Sequence, residues 1–284
     1  MIEISSVQAI DVHGHYGICR NNADQPLRDQ FFSADADTVV QRARGVNVAW
    51  TIVSPLSALQ PRGMAGTVAG NKEAADMVSR TDGMLQWVVI HPLQEETYRQ
   101  AEQMLQQPRC VGIKIHPEGH MYHIKDHGRA IFEFAAKHRA VVMTHSGQQN
   151  SLPLDFVPFA NDFPQVTIIL AHLGNSDDRD PSHQVRAIAA GKHDNLYVDT
   201  SSAASIMSNL VEWAVAQVGA DKILFGTDTP LYSTAMQRIR IESTDLSCAD
   251  KRAILRDNAV RVIRMAKVVE PSKAAKAIKY SMKR

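Results

Sequence analysis

The sequence has few cysteines and lacks the features of a secreted or membrane-bound chain. Its three cysteines, Cys19, Cys110 and Cys248, lie far apart and are odd in number, which excludes a disulfide framework and a CxxC metal site. The N-terminus, MIEISSVQAI, has no basic stretch followed by an apolar one, and no run approaches the ~20 apolar residues that cross a bilayer. We therefore expect a cytoplasmic protein in a reducing compartment.

An excess of charge of one sign is also absent. The chain has 31 Lys and Arg against 30 Asp and Glu, a formal net charge of +1, so no overall field attracts nucleic acid or anionic lipid. Hydrophobic residues make up 44% and charged residues 21%, which is typical of a globular chain with one large core. We expect a small-molecule substrate, no nucleic-acid partner and no membrane partner, and the composition leaves a homo-oligomer open.

Eight short apolar runs predict eight buried strands. They occupy residues 7–13, 48–54, 86–91, 111–116, 140–145, 167–172, 196–201 and 223–228. From the third strand onward the starts are 25 to 29 residues apart, which is the length of a strand, a helix and two loops. Segments with helical periodicity fill the intervals, as in 127–138.

This rhythm predicts an α/β fold, a single-domain (β/α)8 TIM barrel over residues 1–266. The first two units are longer, so we expect extended loops after strands 1 and 2. An open doubly wound sheet is the alternative, but no GxGxxG follows the first strand. Residues 267–284 form a basic C-terminal tail or helix in this interpretation.

Polar residues close the predicted strands, where barrel enzymes carry their catalytic groups. His13 and His15 are two residues apart in strand 1, so their rings share one face and can converge on one ion. His145, His172 and Asp228 end strands 5, 6 and 8. An unpaired imidazole or carboxylate at the rim of a core costs several kcal/mol, and a shared cation removes that cost.

These motifs, in this order, resemble the amidohydrolase superfamily. The segments HGH (13–15), GIKIHP (112–117), THSG (144–147), AHLG (171–174) and FGTDTP (225–230) are most similar to its amidohydrolase-related branch of metal-dependent hydrolases and decarboxylases. The resemblance spans residues 10 to about 262. It implies His13, His15, His145 and Asp228 as metal ligands and His172 as a ligand or a catalytic group.

Lys114, at the end of strand 4, has two interpretations. In two-metal relatives the resemblance implies a carbamylated lysine that bridges the ions, whereas in one-metal relatives a lysine here can bind an anionic substrate. His116 lies on the same face and competes for that second role. We expect one essential divalent ion, Zn²⁺ before Mn²⁺, Fe²⁺ or Co²⁺, and two ions if Lys114 is carbamylated.

The expected activity is hydrolysis of an ester, lactone or amide bond in a small anionic molecule. A metal-activated water attacks, Asp228 acts as general base, His172 stabilises the oxygen that becomes negative, and Lys114 completes the catalytic set. Candidate partners for a substrate carboxylate are Lys114, Arg20, Arg28 and Arg62. The alternatives are a metal-dependent decarboxylase of an unsaturated or aromatic acid and a non-catalytic metal-binding barrel. Weaker site candidates are His91, His120, His123 and His127.

Overall fold

The computed structural model describes residues 3–21 and 25–263, and its strands form one parallel barrel. The strands are β1 (Ala9–Tyr16), β2 (Val48–Pro55), β3 (Met84–Val89), β4 (Cys110–Ile115), β5 (Val142–Thr144), β6 (Ile168–Leu170), β7 (Leu196–Asp199) and β8 (Ile223–Leu224). Each strand pairs with the next in chain order. The ring is completed where Gly14 bridges Thr229 in parallel and the Val12 amide donates to the Phe225 carbonyl at 2.9 Å. The predicted (β/α)8 fold is confirmed.

Helices alternate with the strands and cover the outside of the barrel. They are α1 (Pro26–Phe31), α2 (Ala36–Gly45), α3 (Thr67–Arg80), α4 (Glu95–Met104), α5 (Pro117–His120), α6 (Ile124–His138), α7 (Val157–Asp162), α8 (His183–Ala190), α9 (Leu210–Val218), α10 (Thr234–Glu242), α11 (Cys248–Arg252) and α12 (Asn258–Val262). A π-helical turn, Ala253–Asp257, joins the last two. In the described part of the long loop after β1, residues 17–21 and 25–35, the regular structure is the short α1. The loop after β2 holds a 3₁₀ turn, Leu56–Ala58, so both extended loops are present.

Apolar side chains fill the barrel below its carboxyl end. Ile10, Val12, Leu85 and Trp87 belong to one buried cluster inside the ring, and Trp87 Nε1 donates to the Val12 carbonyl at 2.8 Å. A second and larger cluster lies between the strands and the helices. Because the lower interior is packed, polar groups that end the strands can gather only at the carboxyl mouth.

Two other predictions concern the chain as a whole. Cys19, Cys110 and Cys248 are all free thiols, as the cysteine spacing predicted. Within residues 3–21 and 25–263, no helix combines the length and the apolarity needed to cross a bilayer. The basic tail at 267–284 lies outside the described residues.

Candidate metal centre

β1 delivers two histidine rings to the barrel mouth. His13 and His15 are both buried, and their ring centroids lie 5.2 Å apart. Gly14 stands between them because β1 is squeezed between its neighbours: a Cβ at this position would lie 2.5 Å from Thr51 Cγ2 and 3.2 Å from Thr229 Cγ2. The HGH segment therefore needs its glycine to hold both rings in place.

The hydrogen bonds of these two rings determine which nitrogens face the cavity. His13 Nδ1 lies 2.8 Å from Asp199 Oδ2, and His15 Nδ1 lies 2.8 Å from the Ser54 carbonyl oxygen. Because a carboxylate and a carbonyl only accept, each Nδ1 carries the hydrogen and each Nε2 presents a lone pair. Burial lowers the pKa of His13 to about 3, with a further contribution from Lys114, so its ring stays neutral.

Asp228 brings a third acceptor to the same point. Its Oδ1 lies 3.1 Å from His15 Nε2 and 3.8 Å from His13 Nε2, and one ligand atom from each of the three residues lies within 4.8 Å of the others. Burial raises the pKa of Asp228, but the close contacts with His15 and with the nearby His172 outweigh it and lower the pKa to about 2. Two imidazole nitrogens and a carboxylate are a donor set that suits a divalent cation.

His145 and His172 form a second pair of acceptors. His172 Nδ1 donates to the Ser201 carbonyl, and His145 Nε2 lies 2.7 Å from Gln148 Oε1. The two remaining nitrogens, His145 Nδ1 and His172 Nε2, are 3.1 Å apart, so their lone pairs face each other. Burial and the neighbouring His172 hold the pKa of His145 well below its usual range. Facing lone pairs repel unless a cation or a proton lies between them.

Lys114 places a positive group at the first set of acceptors. The side chain is almost fully buried, and its Nζ lies 2.9 Å from His13 Nε2, in the direction that a bound cation takes. Burial lowers the pKa of Lys114 to about 8. The lone pair of His13 Nε2 thus faces the positive ammonium group of Lys114. The residues present therefore fit a divalent cation, because they already accommodate a positive charge at this point.

Two site residues have backbone conformations that are unfavourable for residues other than glycine. His172 has φ 72° and Asp228 has φ 57°, which costs of order 1–3 kcal/mol each. The His172 amide donates to Asp199 Oδ1 at 3.1 Å, and the Asp228 amide donates to the His13 carbonyl at 2.7 Å. Strain held in this way at two chemistry-bearing positions is typical of a functional site.

Asp199, at the end of β7, organises this centre although sequence reasoning did not assign it to the site. Besides His13 Nδ1, it accepts from the amides of His172 and Ser201. Burial raises its pKa, but the interactions with His13 outweigh burial and hold the pKa well below its usual range. The available signal was its position, because it closes a predicted strand as Asp228 does.

Asp11 connects β1 to the chain that follows β8. Its carboxyl group accepts from the Thr227 amide at 3.0 Å and from Thr227 Oγ1 at 2.6 Å, and also from the His13 amide at 3.1 Å. Burial raises the pKa of Asp11 to about 8. This side chain sets the position of the strands that carry His13 and Asp228 without touching either of their side chains.

A cavity of about 510 Å³ opens above His13, His15 and Asp228. Its walls include the predicted ligands, His116 and several loop residues, among them Arg28, Phe32, Leu59, Arg62, Gln148 and Tyr232. Arg62 pairs with Glu118 at 3.5 Å, and the Arg28 guanidinium lies 5.2 Å from the Phe32 ring. Of the four predicted carboxylate partners, Arg28 and Arg62 line this cavity, whereas Arg20 and Lys114 are not among its described lining residues.

The weaker histidine candidates lie away from the two acceptor sets. His91 stacks on His120 with centroids 4.5 Å apart, and His120 Nε2 lies 2.9 Å from the Ala58 carbonyl oxygen. The His123 ring accepts from the Lys125 amide and caps α6, and His127 packs against Tyr122. These contacts are structural ones. Only His116, from the same part of the sequence, reaches the cavity.

A sequence profile of the family described as amidohydrolase matches residues 10–265. A search of curated proteins finds no match. Solved structures are more informative about shape. A 2,6-dihydroxybenzoate decarboxylase from Rhizobium is 15% identical, with a TM-score of 0.70, and the alignment covers 90% of this chain and 98% of that one.

Two further structures have the same architecture. A dihydroxybenzoic acid decarboxylase from a Polaromonas species, with bound manganese and 2-nitroresorcinol, is 16% identical over 93% of this chain and 99% of that one, with a TM-score of 0.69. An amidohydrolase 2 from Bifidobacterium longum subsp. infantis is 15% identical over 90% and 98%, with a TM-score of 0.63. At these identities the likeness establishes the fold alone.

Proposed function

The chain belongs to the amidohydrolase family, and we propose that it is a metal-dependent hydrolase of an ester, lactone or amide bond in a small anionic molecule. One observation carries the proposal: beside the ligand atoms of His13, His15 and Asp228, the barrel mouth holds a second pair of acceptor nitrogens on His145 and His172. His145 is in neither of the two clusters of potential ligand atoms that the described residues form, and its free nitrogen faces His172. Sites with two cations are typical of enzymes that transfer acyl or phosphoryl groups to water.

We assign one cation position to each set. His13, His15 and Asp228 would hold the first, and His145 and His172 would hold the second. The sequence favoured a single ion, but with a single ion at the first set the two facing nitrogens of the second would need a proton between them. A carbamylated Lys114, as the resemblance to two-metal relatives implies, would bridge the two positions. Nitrogen and oxygen ligands of this kind accept Zn²⁺ and Mn²⁺ alike.

The residues of this chain then have distinct tasks. Bound divalent cations lower the pKa of a water molecule and polarise a carbonyl group. Asp228 stays ionised throughout the neutral range, since its pKa lies near 2, and it can take the proton of the attacking water and pass it to the leaving oxygen or nitrogen. Arg28 and Arg62, on the loops after β1 and β2, supply positive charge at the cavity rim for an anionic substrate.

Decarboxylation of an aromatic acid is the second candidate. Two of the compared structures are named as decarboxylases of dihydroxybenzoic acids, and one of them contains manganese. These names support decarboxylation more than hydrolysis. A cavity of about 510 Å³ is also within the range for a ring-sized ligand. A non-catalytic barrel is disfavoured because Asp228 places an ionised carboxylate beside His13 and His15, and a scaffold needs no base at that position.

Labelled water distinguishes the two reactions. The metal-loaded protein is incubated in ¹⁸O-water with a panel of lactones, esters, amides and hydroxybenzoic acids. The proposal predicts ¹⁸O in the acid product of a lactone, ester or amide, and no release of CO₂. Release of CO₂ with an unlabelled carbon skeleton supports the decarboxylase and contradicts the hydrolase, and an Asp228→Asn variant controls for contaminating activity.

A further inference from the structure

His116 stands where β4 ends and α5 begins. It is the residue immediately before that helix, and its Nδ1 accepts a hydrogen bond from the Gly119 amide at 2.9 Å. An amide N–H can donate only to a nitrogen that has a free lone pair. The ring hydrogen of His116 is therefore on Nε2, whatever the state of the rest of the site.

Gly119 makes this short contact possible. A Cβ at residue 119 would lie 3.1 Å from His116 Nδ1 and 2.9 Å from the Leu59 carbonyl oxygen. Any larger residue would push the imidazole out of position or displace the loop after β2. The segment 116–119 thus makes Nδ1 of His116 the acceptor of a hydrogen bond. Because a neutral ring has one hydrogen, Nε2 is then the donor.

Stacking fixes the plane of the ring. His116 lies flat against His145, with centroids 4.3 Å apart and an angle of 9° between the planes, and it lines the cavity above the metal centre. The other imidazoles of the cavity turn lone pairs toward it, since their hydrogens are directed to Asp199, Ser54, Ser201 and Gln148. His116 differs from them because it presents an N–H.

We propose that His116 binds the substrate by donating a hydrogen bond from Nε2 to a carbonyl or carboxylate oxygen, and so selects molecules with an acceptor oxygen beside the reacting bond. The proposal rests on the proposed function only for which bond of the substrate reacts. An oxygen drawn toward the cations meets a donor whose position and tautomer are set before binding. Such a donor loses little orientation entropy when the substrate binds and strengthens as the oxygen gains negative charge.

Two substitutions separate the two ring nitrogens. His116→Asn keeps an oxygen near the position of Nδ1 that can accept from the Gly119 amide, and asparagine is a favourable residue before a helix, but its side chain ends short of the cavity. His116→Gln places an amide N–H near the position of Nε2 and loses the contact with Gly119. Thermal midpoint and metal content establish that each variant is folded and loaded.

The first measurement is ring-nitrogen NMR of ¹⁵N-labelled, metal-loaded protein, with the His116 signals identified by their loss in His116→Asn. We expect the Nε2–H tautomer, and an Nδ1–H tautomer overturns the proposal. The second is calorimetric titration with benzoate as the probe. We expect His116→Asn to bind benzoate about 10- to 100-fold more weakly than the wild type, the range for a hydrogen bond to a charged group, and His116→Gln to retain most of the affinity.

Equal affinities in the wild type and His116→Asn, or no binding of benzoate to the metal-loaded wild type, contradict the proposal. Neither measurement requires turnover. If the labelled-water experiment excludes hydrolysis, the tautomer and the benzoate affinities still test the donor on their own.

Discussion

Substituting Asp199 by asparagine should change the tautomer of a metal ligand without changing its position. Asp199 Oδ1 accepts from the amides of His172 and Ser201 at 3.1 and 2.8 Å, and these donors cannot reverse. The single oxygen of asparagine must therefore stay with them, and its NH₂ group then faces His13 Nδ1. Two donors cannot share that contact, and the remaining acceptor near His13 Nδ1 is Ser201 Oγ at 2.8 Å. The loss of the carboxylate therefore favours the tautomer with the ring hydrogen on Nε2, which removes the lone pair at the cavity.

The magnitude follows from what His13 contributes to the centre. It is one of three residues whose potential ligand atoms lie within 4.8 Å of one another, at the first cation position that we propose. Removing the group that orients a metal-ligating histidine costs 10- to 100-fold in metal affinity. Because the wrong tautomer cannot ligate at all, we expect the upper end of that range, ~100-fold, which corresponds to about 2.7 kcal/mol.

The assay is competition with a chelator of known affinity, followed by metal analysis, on the Asp199→Asn variant and a matched control. The control is Asp11→Asn, which alters an equally buried carboxyl group in the same barrel. Asp11 contacts the backbone and Thr227 but no imidazole ring, and its raised pKa of about 8 makes the neutral amide a close substitute. Wild-type metal affinity in a folded Asp199→Asn variant would refute the reasoning.

Three further predictions concern individual residues. His13→Ala and His15→Ala should lose metal and activity together while circular dichroism stays native, and full occupancy in the double variant after dialysis removes the assignment. Asp228→Asn should retain part of its metal yet lose activity by a factor on the order of 10²–10⁴, and a near-native rate in excess metal would make Asp228 a ligand only. Burial lowers the pKa of His120 to about 4, whereas an unfolded histidine has a pKa of ~6.5. Between these two values the unfolded chain binds more protons than the folded one. The free energy of unfolding therefore falls as the pH drops, by about 2 kcal/mol at pH 5. Urea unfolding of metal-stripped wild type and His120→Gln at pH 7 and pH 5 checks this, and equal losses in both proteins contradict it.

The barrel could be predicted from the sequence because its strands are buried on both faces. Such strands read as continuous apolar runs, and the 25–29-residue interval between them leaves room for one helix each. The ends of the strands were less predictable. The sequence predicts strand 8 over residues 223–228, but β8 is only Ile223–Leu224, and Asp228 has a left-handed backbone conformation. No residue pattern signals that conformation.

The ligand candidates could also be predicted, because HGH and the strand-end residues are local motifs. Which nitrogen each ring presents could not, since His13 is oriented by Asp199 across 186 residues of sequence and His15 by the backbone of Ser54. The contacts of His13 and His15 exist only after the barrel has closed. The donor role of His116 has a local origin, because it depends on the amide of Gly119, three residues further along the chain.

The number of metal ions bound per chain tests the central claim most directly. Metal-stripped protein is titrated with Zn²⁺ and, separately, with Mn²⁺, and bound metal is measured after removal of free ions, for the wild type and for His145→Ala. The account predicts two ions per chain in the wild type and one in His145→Ala, with the remaining ion held by His13, His15 and Asp228. A single ion in the wild type, or a stoichiometry unchanged by the loss of His145, would contradict it.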